Sequence, residues 1–400
     1  MEFLHGTLIR YPWGTYDAIP QLLGQDPDGE PVAELWLGAH PLSPSRLGDS
    51  PLDAALAAHP EALGDASRAE FGEQLPFLMK ILSARHALSL QAHPSRAQAE
   101  EGFAAEEADG VPRDAPQRTY RDDWPKPEIL VALEEFHTLL GFRSPRITWH
   151  LFHQLGVGPD VLRLLGPLNA RDGEAALQEV FLDVLTIEGD RTALVDDVLT
   201  CARRHADDAG DAGDLARTAL ELHEVFGTDQ GILAAMLMNR VVLTPGEAVY
   251  VPAGVMHAHL RGTGIEVMAS SDNVLRGGLT SKHIAVDELV RVVNFSWSVP
   301  KVLRGDEVSP GVFDYPTHCD EFDVWRLEPA DARGVQVPAD GFARILLATR
   351  GTATLTSDAG ELRLARGEAA FLAATDSGVT LSGDAQVFCS APGLATPHAA

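Results

Sequence analysis

Three short segments bring together residue types that bind a divalent metal. Residues 89–93 read Ser-Leu-Gln-Ala-His, residues 125–128 read Pro-Lys-Pro-Glu, and residues 246–257 end in Pro-Ala-Gly-Val-Met-His. The glutamine and histidine of the first segment are two positions apart, which on a β-strand puts both side chains on one face. Two imidazoles, a carboxylate and an amide oxygen form a plausible ligand set for one divalent metal. The predicted ligands are Gln91, His93, Glu128 and His257.

The segment that ends at His257 has the form of the second cupin motif, G-x5-P-x-G-x2-H. Gly246, Pro252, Gly254 and His257 occupy its fixed positions. Proline fixes φ and glycine permits the positive φ of a tight turn, so the pattern describes a strand that turns and leaves with an inward-pointing histidine. Such a site would lie inside a β-barrel.

Lysine is rare in this chain. Of 31 basic residues only four are lysines, Lys80, Lys126, Lys282 and Lys301, and the first three lie in or near the motif blocks. A lysine ammonium is a compact charge that suits a phosphate, and arginine does not replace it freely in a tight pocket. Chance placement is the alternative, but the pattern favours an anionic substrate.

The motifs resemble those of the type I phosphomannose isomerase family. Further blocks that carry the resemblance are residues 11–14, 33–41, 75–83 and 266–282, and the match is good over residues 1–145 and 235–285. The resemblance implies an aldose–ketose isomerase with one Zn²⁺ per chain. Its expected reaction interconverts D-mannose 6-phosphate and D-fructose 6-phosphate through a cis-enediol, in carbohydrate metabolism that includes GDP-mannose biosynthesis.

The resemblance also implies roles for individual residues. An isomerase of this kind needs a base that moves a proton between C2 and C1 and a cation that holds the developing oxyanion. Glu266 and Asp272 are both candidates for the base, and Arg276 is expected to stabilise the enediolate. An alternative for the two carboxylates is that they only make hydrogen bonds around the site. The implied catalytic residues are Arg276, Glu266, Asp272 and Lys126, and the implied substrate-binding residues are Trp13, Lys80, Ser89 and Lys282.

His259 is harder to assign than the other histidines. It lies two positions after His257, so on a strand both side chains would share a face and a fifth metal ligand is conceivable. The family usually has a tyrosine here, and lining of the pocket wall is therefore the expectation for His259.

Composition limits the possible partners and location. A net charge of −27 argues against nucleic acid or an anionic membrane surface as partner, so a phosphorylated substrate needs a local basic pocket. Three widely spaced cysteines form no disulfide framework or zinc ribbon, and no export signal or long apolar run is visible. We expect a cytoplasmic enzyme that is a monomer or a weak homo-oligomer.

The order of patterns along the chain predicts a mainly β protein with a helical insertion. Residues 1–142 and 235–320 are expected to form a catalytic cupin-type jelly-roll barrel, interrupted by a helical domain over residues 143–234. Residues 243–253 are echoed by residues 364–374, which suggests a second cupin-like barrel over residues 321–400. That barrel is expected to lack metal, because the second copy has no histidine at the position that corresponds to His257.

Two functions from other classes are alternatives to an isomerase. A metal-free cupin that only binds a sugar would be expected to have lost its ligands, whereas the ligand set here is intact. A cupin oxygenase with iron usually has three histidines and one glutamate, whereas Gln91 stands where a histidine would be.

Overall fold

The protein combines large antiparallel sheets with twelve α-helices in the described part of the chain. The structure, a computed structural model, describes residues 1–171, 173–186, 191–329 and 334–395. The strands are β1 (Glu2–His5), β2 (Thr7–Ile9), β3 (Glu34–Leu37), β4 (Arg46–Leu47), β5 (Ser50–Pro51), β6 (Phe77–Ala84), β7 (Leu90–Ala92), β8 (Glu128–Ala132), β9 (Phe136–Phe142), β10 (Met238–Leu243), β11 (Ala248–Val251), β12 (His257–Ala269), β13 (Leu275–Gly278), β14 (Asp306–Ser309), β15 (Val312–Tyr315), β16 (Asp323–Leu327), β17 (Val335–Gln336), β18 (Arg344–Ser357), β19 (Gly360–Ala365), β20 (Ala369–Leu372), β21 (Thr380–Ser382) and β22 (Ala385–Ala391). The helices are α1 (Ala18–Leu22), α2 (Leu52–Ala58), α3 (Asp65–Phe71), α4 (Arg96–Ala108), α5 (Pro145–Leu155), α6 (Pro159–Leu164), α7 (Gly166–Ala170), α8 (Glu174–Thr186), α9 (Arg191–His205), α10 (Asp211–Phe226), α11 (Gly231–Ala235) and α12 (Val286–Val292).

The long strand β12 joins the two halves of the sheet that carries the predicted site. Its first residues pair with β9 and β7, and its last eight, from Gly262 on, pair with β6 and β8. Gly262 lies where the pairing partners change, with a φ of 121°, and a Cβ there would come within 2.8 Å of the backbone of Phe136. Only glycine fits at this position without strain, so glycine allows β12 to pass from one set of partner strands to the other.

Strand alternation gives this sheet two different faces: one carries the polar residues of the site, and the other is apolar and packs against the second sheet. On β6, Lys80 points to the same side as Leu82, whereas Met79 and Ile81 point the other way. Met79 and Ile81 belong to an apolar cluster that also contains Phe371 and Phe388 of the C-terminal sheet. The two sheets therefore share a core, and burial of this face holds the site-bearing strands in place.

The repeat detected in the sequence is also a structural repeat. Gly246 and Gly367 have φ angles of 85° and 87°, as expected for glycines of equivalent turns. The next residue in each copy, Glu247 or Glu368, accepts a hydrogen bond from the backbone N–H three positions earlier, at 2.9 and 2.8 Å. The two turns lead into β11 and β20, so both copies build the same turn and strand in different sheets.

The chain is not divided between the sheets at one point in the sequence. The N-terminal strand β1 pairs with β20 of the C-terminal sheet, and β4 pairs with β1 in turn. Neither sheet closes into a hydrogen-bonded barrel among the described residues. The expectation of closed barrels is therefore not met, and the cupin jelly roll and the domain boundaries stay predictions.

The described part of residues 145–235 contains helices α5–α11 and no strand, as the Leu- and Ala-rich pattern indicates. These helices pack on the sheet beside the site: Phe181 of α8 makes an edge contact with Phe142 of β9, with ring centroids 5.6 Å apart. A short loop separates α9, which ends at His205, from α10, which begins at Asp211. Among the described helices, none has the length and apolar character needed to cross a membrane.

Candidate metal centre and active site

Three buried side chains from three strands or strand ends converge in the interior. His93 follows β7, Glu128 begins β8 and His257 begins β12, and their ligand atoms all lie within 4.8 Å of one another. Nε2 of His93 is 3.3 Å from Oε1 of Glu128, and Nε2 of His257 is 3.2 Å from Oε2. Among the described residues, this is the one group of three or more His, Cys, Asp or Glu that could hold a metal ion.

Hydrogen bonding shows that this group suits a cation. Nδ1 of His93 donates to the carbonyl of Asn273 at 2.7 Å, and Nδ1 of His257 donates to that of Val255 at 3.0 Å. A carbonyl only accepts, so the neutral imidazoles carry their protons on Nδ1 and turn unprotonated Nε2 atoms towards Glu128. Both Nε2 atoms are buried and make no hydrogen bond within the described part of the chain. A divalent metal would satisfy both lone pairs and the carboxylate together.

Electrostatics around Glu128 favour its charged form. Burial raises the pKa of this carboxyl, but His93 and Lys126 outweigh burial and hold the pKa well below its usual range. Burial lowers the pKa of His93, which favours the neutral imidazole. An ionised carboxylate beside neutral imidazoles is the protonation state that metal binding requires.

Gln91 lies next to this group by strand register. It pairs with His257 across the β7–β12 ladder and with Arg276 across the β7–β13 ladder. Side chains of directly opposite residues share a face, so Gln91, His257 and Arg276 lie on one side of the sheet. This placement is compatible with an amide ligand, and the ligand role of Gln91 stays a prediction.

Lys126 also lies at the metal group. Its Nζ is 3.5 Å from Oε1 of Glu128, and the residue is buried, with 9% of its surface exposed. The spacing of two residues places both side chains on one face, as the Lys-Pro-Glu pattern predicts.

Lys80 belongs to a buried chain of charges behind the metal group. Its Nζ lies 3.1 Å from Glu266 Oε2 and 3.4 Å from Glu34 Oε1, and 6% of the residue is exposed. Burial lowers the pKa of Lys80, but Glu34 and Glu266 outweigh burial and raise it above its usual value. Two carboxylates therefore pair with Lys80 in the interior. Its role as a substrate ligand stays a prediction.

The same carboxylate, Glu266, is held from its other side by His259. Nε2 of His259 is 3.2 Å from Glu266 Oε1, and its Nδ1 is 3.2 Å from the hydroxyl of Thr138. Burial raises the pKa of Glu266, but Lys80 outweighs it and the pKa falls to about 2. His259 thus lies in the wall of the interior and holds Glu266, in agreement with the pocket-lining expectation.

Asp272 is more accessible than Glu266. Its side chain is 36% exposed, and its carboxylate lies 3.5 Å from Nε2 of the buried His40. Asp272 and His40 line a cavity of about 310 Å³ together with Arg121 and Trp124. A larger cavity, of about 750 Å³, lies between β10 and α10 and is lined by none of the predicted site residues.

The positive charge of Arg121 acts on Arg276 and Lys282. Burial lowers the pKa of Arg276, and Arg121 lowers it further. The pKa of Lys282 is lowered first by Arg276 and then by burial and Arg121. Part of each pKa shift thus reflects repulsion between like charges, which a bound anion would offset.

Two predicted substrate residues lie at the edge of these groups. Ser89 is half-buried and immediately precedes β7, next to Gln91 in the sequence. Trp13 stacks on Tyr11 with ring centroids 5.6 Å apart and packs against the interior apolar cluster that includes Leu82 and Leu130. A role in substrate binding stays a prediction for both residues.

Sequence reasoning gave no role to several residues that the fold brings to the site. Glu34 and His40 lie in the block 33–41, and Asn273 lies in the block 266–282. Their place in those blocks was the sign of a role that the sequence offered. The partners of these three residues, Lys80, Asp272 and His93, depend on strand register. Arg121 lies outside every block and gave no signal of its own.

Comparison with known proteins agrees with this site. Residues 2–145 match the family model of the phosphomannose isomerase type I catalytic domain. A mannose-6-phosphate isomerase of Escherichia coli (strain K12) is 36% identical over 392 residues, which cover 96% of this chain and 97% of that protein. The enzyme of the same name from Mus musculus is 30% identical over 403 residues, with 92% of each chain covered.

Solved structures give the same result. The apo form of mannose 6-phosphate isomerase from Salmonella typhimurium is 31% identical, with a TM-score of 0.88 and coverage of 98% of this chain and 99% of that one. A mannose 6-phosphate isomerase bound with zinc and yttrium matches with the same TM-score, identity and coverage. The chain therefore belongs to the type I phosphomannose isomerase family, whose members interconvert mannose 6-phosphate and fructose 6-phosphate.

Proposed function

We propose that the protein is a zinc-dependent isomerase that binds one zinc ion per chain. His93, Glu128 and His257 would hold the ion, with the amide oxygen of Gln91 as the fourth ligand. The observation that carries this proposal is the pair of buried Nε2 atoms that face Glu128 without a hydrogen bond among the described residues. The zinc in the structure of a similar isomerase supports the choice of metal. When bound, zinc would polarise the carbonyl and hydroxyl oxygens of the sugar.

The proton between C2 and C1 needs a base with access to the substrate, and we assign this role to Asp272. Glu266 is the poorer candidate, because a pKa of about 2 makes it a weak base and Lys80 and His259 occupy its oxygens. Asp272 is partly exposed at a cavity and is oriented by His40. Proton removal gives a cis-enediolate, and return of the proton to the other carbon completes the aldose–ketose exchange.

The cations around the metal group would hold the negative charge of substrate and intermediate. Arg276 lies in register with Gln91, so its guanidinium can stabilise the enediolate oxygen. Lys126, beside Glu128, can contact the same oxygens. We assign the phosphate to Lys282 and Ser89, at the entrance side of β7 and β13. Lys80 would act on the substrate only through Glu266.

Deuterium incorporation from D₂O tests the proton transfer. With mannose 6-phosphate in D₂O, NMR should show deuterium at C1 of the fructose 6-phosphate formed, because the proton taken from C2 exchanges with solvent on the base while the enediolate is bound. Asp272→Asn should lower kcat by about 10²–10⁴-fold. Asp123→Asn, which changes an exposed carboxylate of the same cavity on the loop before β8, is the matched control and should keep full activity. An active Asp272→Asn enzyme would contradict the assignment.

Further features remain part of the proposal. The repeated Gly-Glu-Ala turns support two cupin-like units, of which the C-terminal one is expected to bind no metal. The boundaries at residues 142, 234 and 320, a cytoplasmic location and a monomeric or weakly associating state are likewise proposed.

A further inference from the structure

Asn273 is fully buried between β12 and β13, and its side-chain amide binds the loop that precedes β8. Its Oδ1 accepts hydrogen bonds from the backbone N–H groups of Arg121 at 2.8 Å and Asp122 at 3.3 Å. Its Nδ2 donates to the carbonyls of Asp122 at 2.8 Å and Trp124 at 2.9 Å. The loop thus needs both a donor and an acceptor from one short side chain. An amide supplies both, whereas an ionised carboxylate only accepts.

The carboxylate of Asp122 holds the segment around Asn273 from the opposite side. Its Oδ2 accepts the backbone N–H of Asp272 at 2.7 Å, and its Oδ1 accepts the hydroxyl of Ser271 at 2.7 Å. The hydroxyl oxygen of Ser271 in turn accepts the backbone N–H of Asn273 at 3.2 Å. The loop and the segment are therefore joined by side chains that belong to both of them.

Both of the joined pieces of chain lead to the metal group. The backbone carbonyl of Asn273 accepts the Nδ1 proton of His93 at 2.7 Å, and Nε2 of the same imidazole faces Glu128 at 3.3 Å. Trp124, whose carbonyl Asn273 binds, lies four positions before Glu128 in the sequence. Asn273 thus contacts one predicted ligand through its backbone and the approach to a second ligand through its side chain.

We propose that Asn273 is a positioning residue that sets the geometry of the metal centre. This inference rests on the proposed function, because it concerns the same site. The amide does not contact the metal group directly, and it acts through His93 and through the loop before Glu128. A hydrogen bond to Nδ1 fixes the tautomer and the ring orientation of a metal-binding histidine. Loss of the amide would release the loop and the carbonyl that holds His93 together, so zinc would bind more weakly.

Asn239 offers a matched control, because it uses the same chemistry elsewhere in the fold. Its Nδ2 donates to the carbonyls of Leu140 at 3.1 Å, Phe142 at 3.1 Å and Ser298 at 3.0 Å. None of these three residues belongs to the metal group. Alanine at either position therefore removes an amide that joins separate pieces of main chain, but only the change at Asn273 affects a residue that is bonded to a predicted metal ligand.

The zinc affinity of Asn273→Ala, measured by competition with a chelating dye, tests this inference. The affinity should fall by about 10–100-fold, the range typical of changes to groups that hold a metal ligand in place. Asn239→Ala should keep the wild-type affinity, although both variants should unfold at lower denaturant concentration because each loses hydrogen bonds. With saturating Co²⁺ in place of zinc, the visible absorption spectrum should change in Asn273→Ala and not in Asn239→Ala, because the spectrum reports the arrangement of the ligands.

Ser271→Ala decides the question if Asn273→Ala does not fold. It removes a hydroxyl that contacts both Asp122 and Asn273, so zinc affinity should fall by a smaller factor. Wild-type zinc affinity and an unchanged Co²⁺ spectrum in the folded variants would overturn the inference even if their stability falls, since that result indicates a role in folding alone. Equal losses of zinc affinity in Asn273→Ala and Asn239→Ala would overturn it too. A wild-type protein that binds zinc but does not isomerise mannose 6-phosphate would instead refute the proposed function and leave the zinc comparison valid.

Discussion

Replacing His257 by alanine is expected to remove the bound metal and the isomerase activity together. The imidazole is fully buried, and its Nε2 points at Glu128 with no other partner in the described part of the chain. Loss of this imidazole leaves an incomplete ligand set around the buried carboxylate. Changes to residues that only hydrogen-bond to a ligand typically lower metal affinity by roughly 10–100-fold, and loss of the ligand itself should lower it further. Elemental analysis of the purified variant should find little zinc, and kcat/KM for mannose 6-phosphate should fall in parallel.

The control for this experiment is His59→Ala. His59 is exposed and pairs with the neighbouring Glu61. This variant should keep both zinc and activity. Zinc at the wild-type level in the His257→Ala protein would show that the metal lies elsewhere and would remove the basis of the proposed mechanism.

Replacing Lys80 by methionine is expected to destabilise the fold strongly. The ammonium group lies between Glu34 and Glu266, and its removal leaves two buried carboxylates without their shared cation. Breaking a buried ion pair by removing one partner typically costs about 3–5 kcal/mol of folding free energy. Chemical denaturation monitored by circular dichroism should show this loss, and activity should fall because Glu266 and its neighbours move.

Lys301→Met is the matched control, since Lys301 is exposed outside the site. Its stability should stay close to that of the wild type. The opposite outcome is informative for Lys80: an unchanged unfolding free energy together with a raised KM for mannose 6-phosphate would show that Lys80 faces the phosphate, as the sequence suggests.

The metal group was predictable because each ligand lies in a recognisable local pattern. His257 closes a Gly–Pro–Gly turn, and His93 and Glu128 lie in short motifs, so each could be found without knowing the fold. The repeated turn was predictable for the same reason, because the glycine and glutamate that form it are adjacent in sequence. Local patterns of this kind need no information about distant contacts.

The supporting residues were not predictable because their contacts are distant in sequence. Asn273 holds Asp122 across 151 positions, and Lys80 meets Glu266 across 186. Such contacts depend on strand register, and a shift of one residue would turn each side chain to the opposite face. The pairing of β1 with β20 has the same origin, since a strand of four residues gives no sign of its partner. Sequence reasoning therefore placed Lys80 near the substrate by its motif and missed its carboxylates.

The most direct test of a zinc-dependent isomerase is removal and return of the metal, with conversion of mannose 6-phosphate to fructose 6-phosphate as the measurement. Treatment with a chelator should abolish conversion, and about one equivalent of Zn²⁺ per chain should restore it. The His257→Ala protein should not recover under the same treatment. Full conversion by protein shown by elemental analysis to be free of metal would contradict the proposed metal centre.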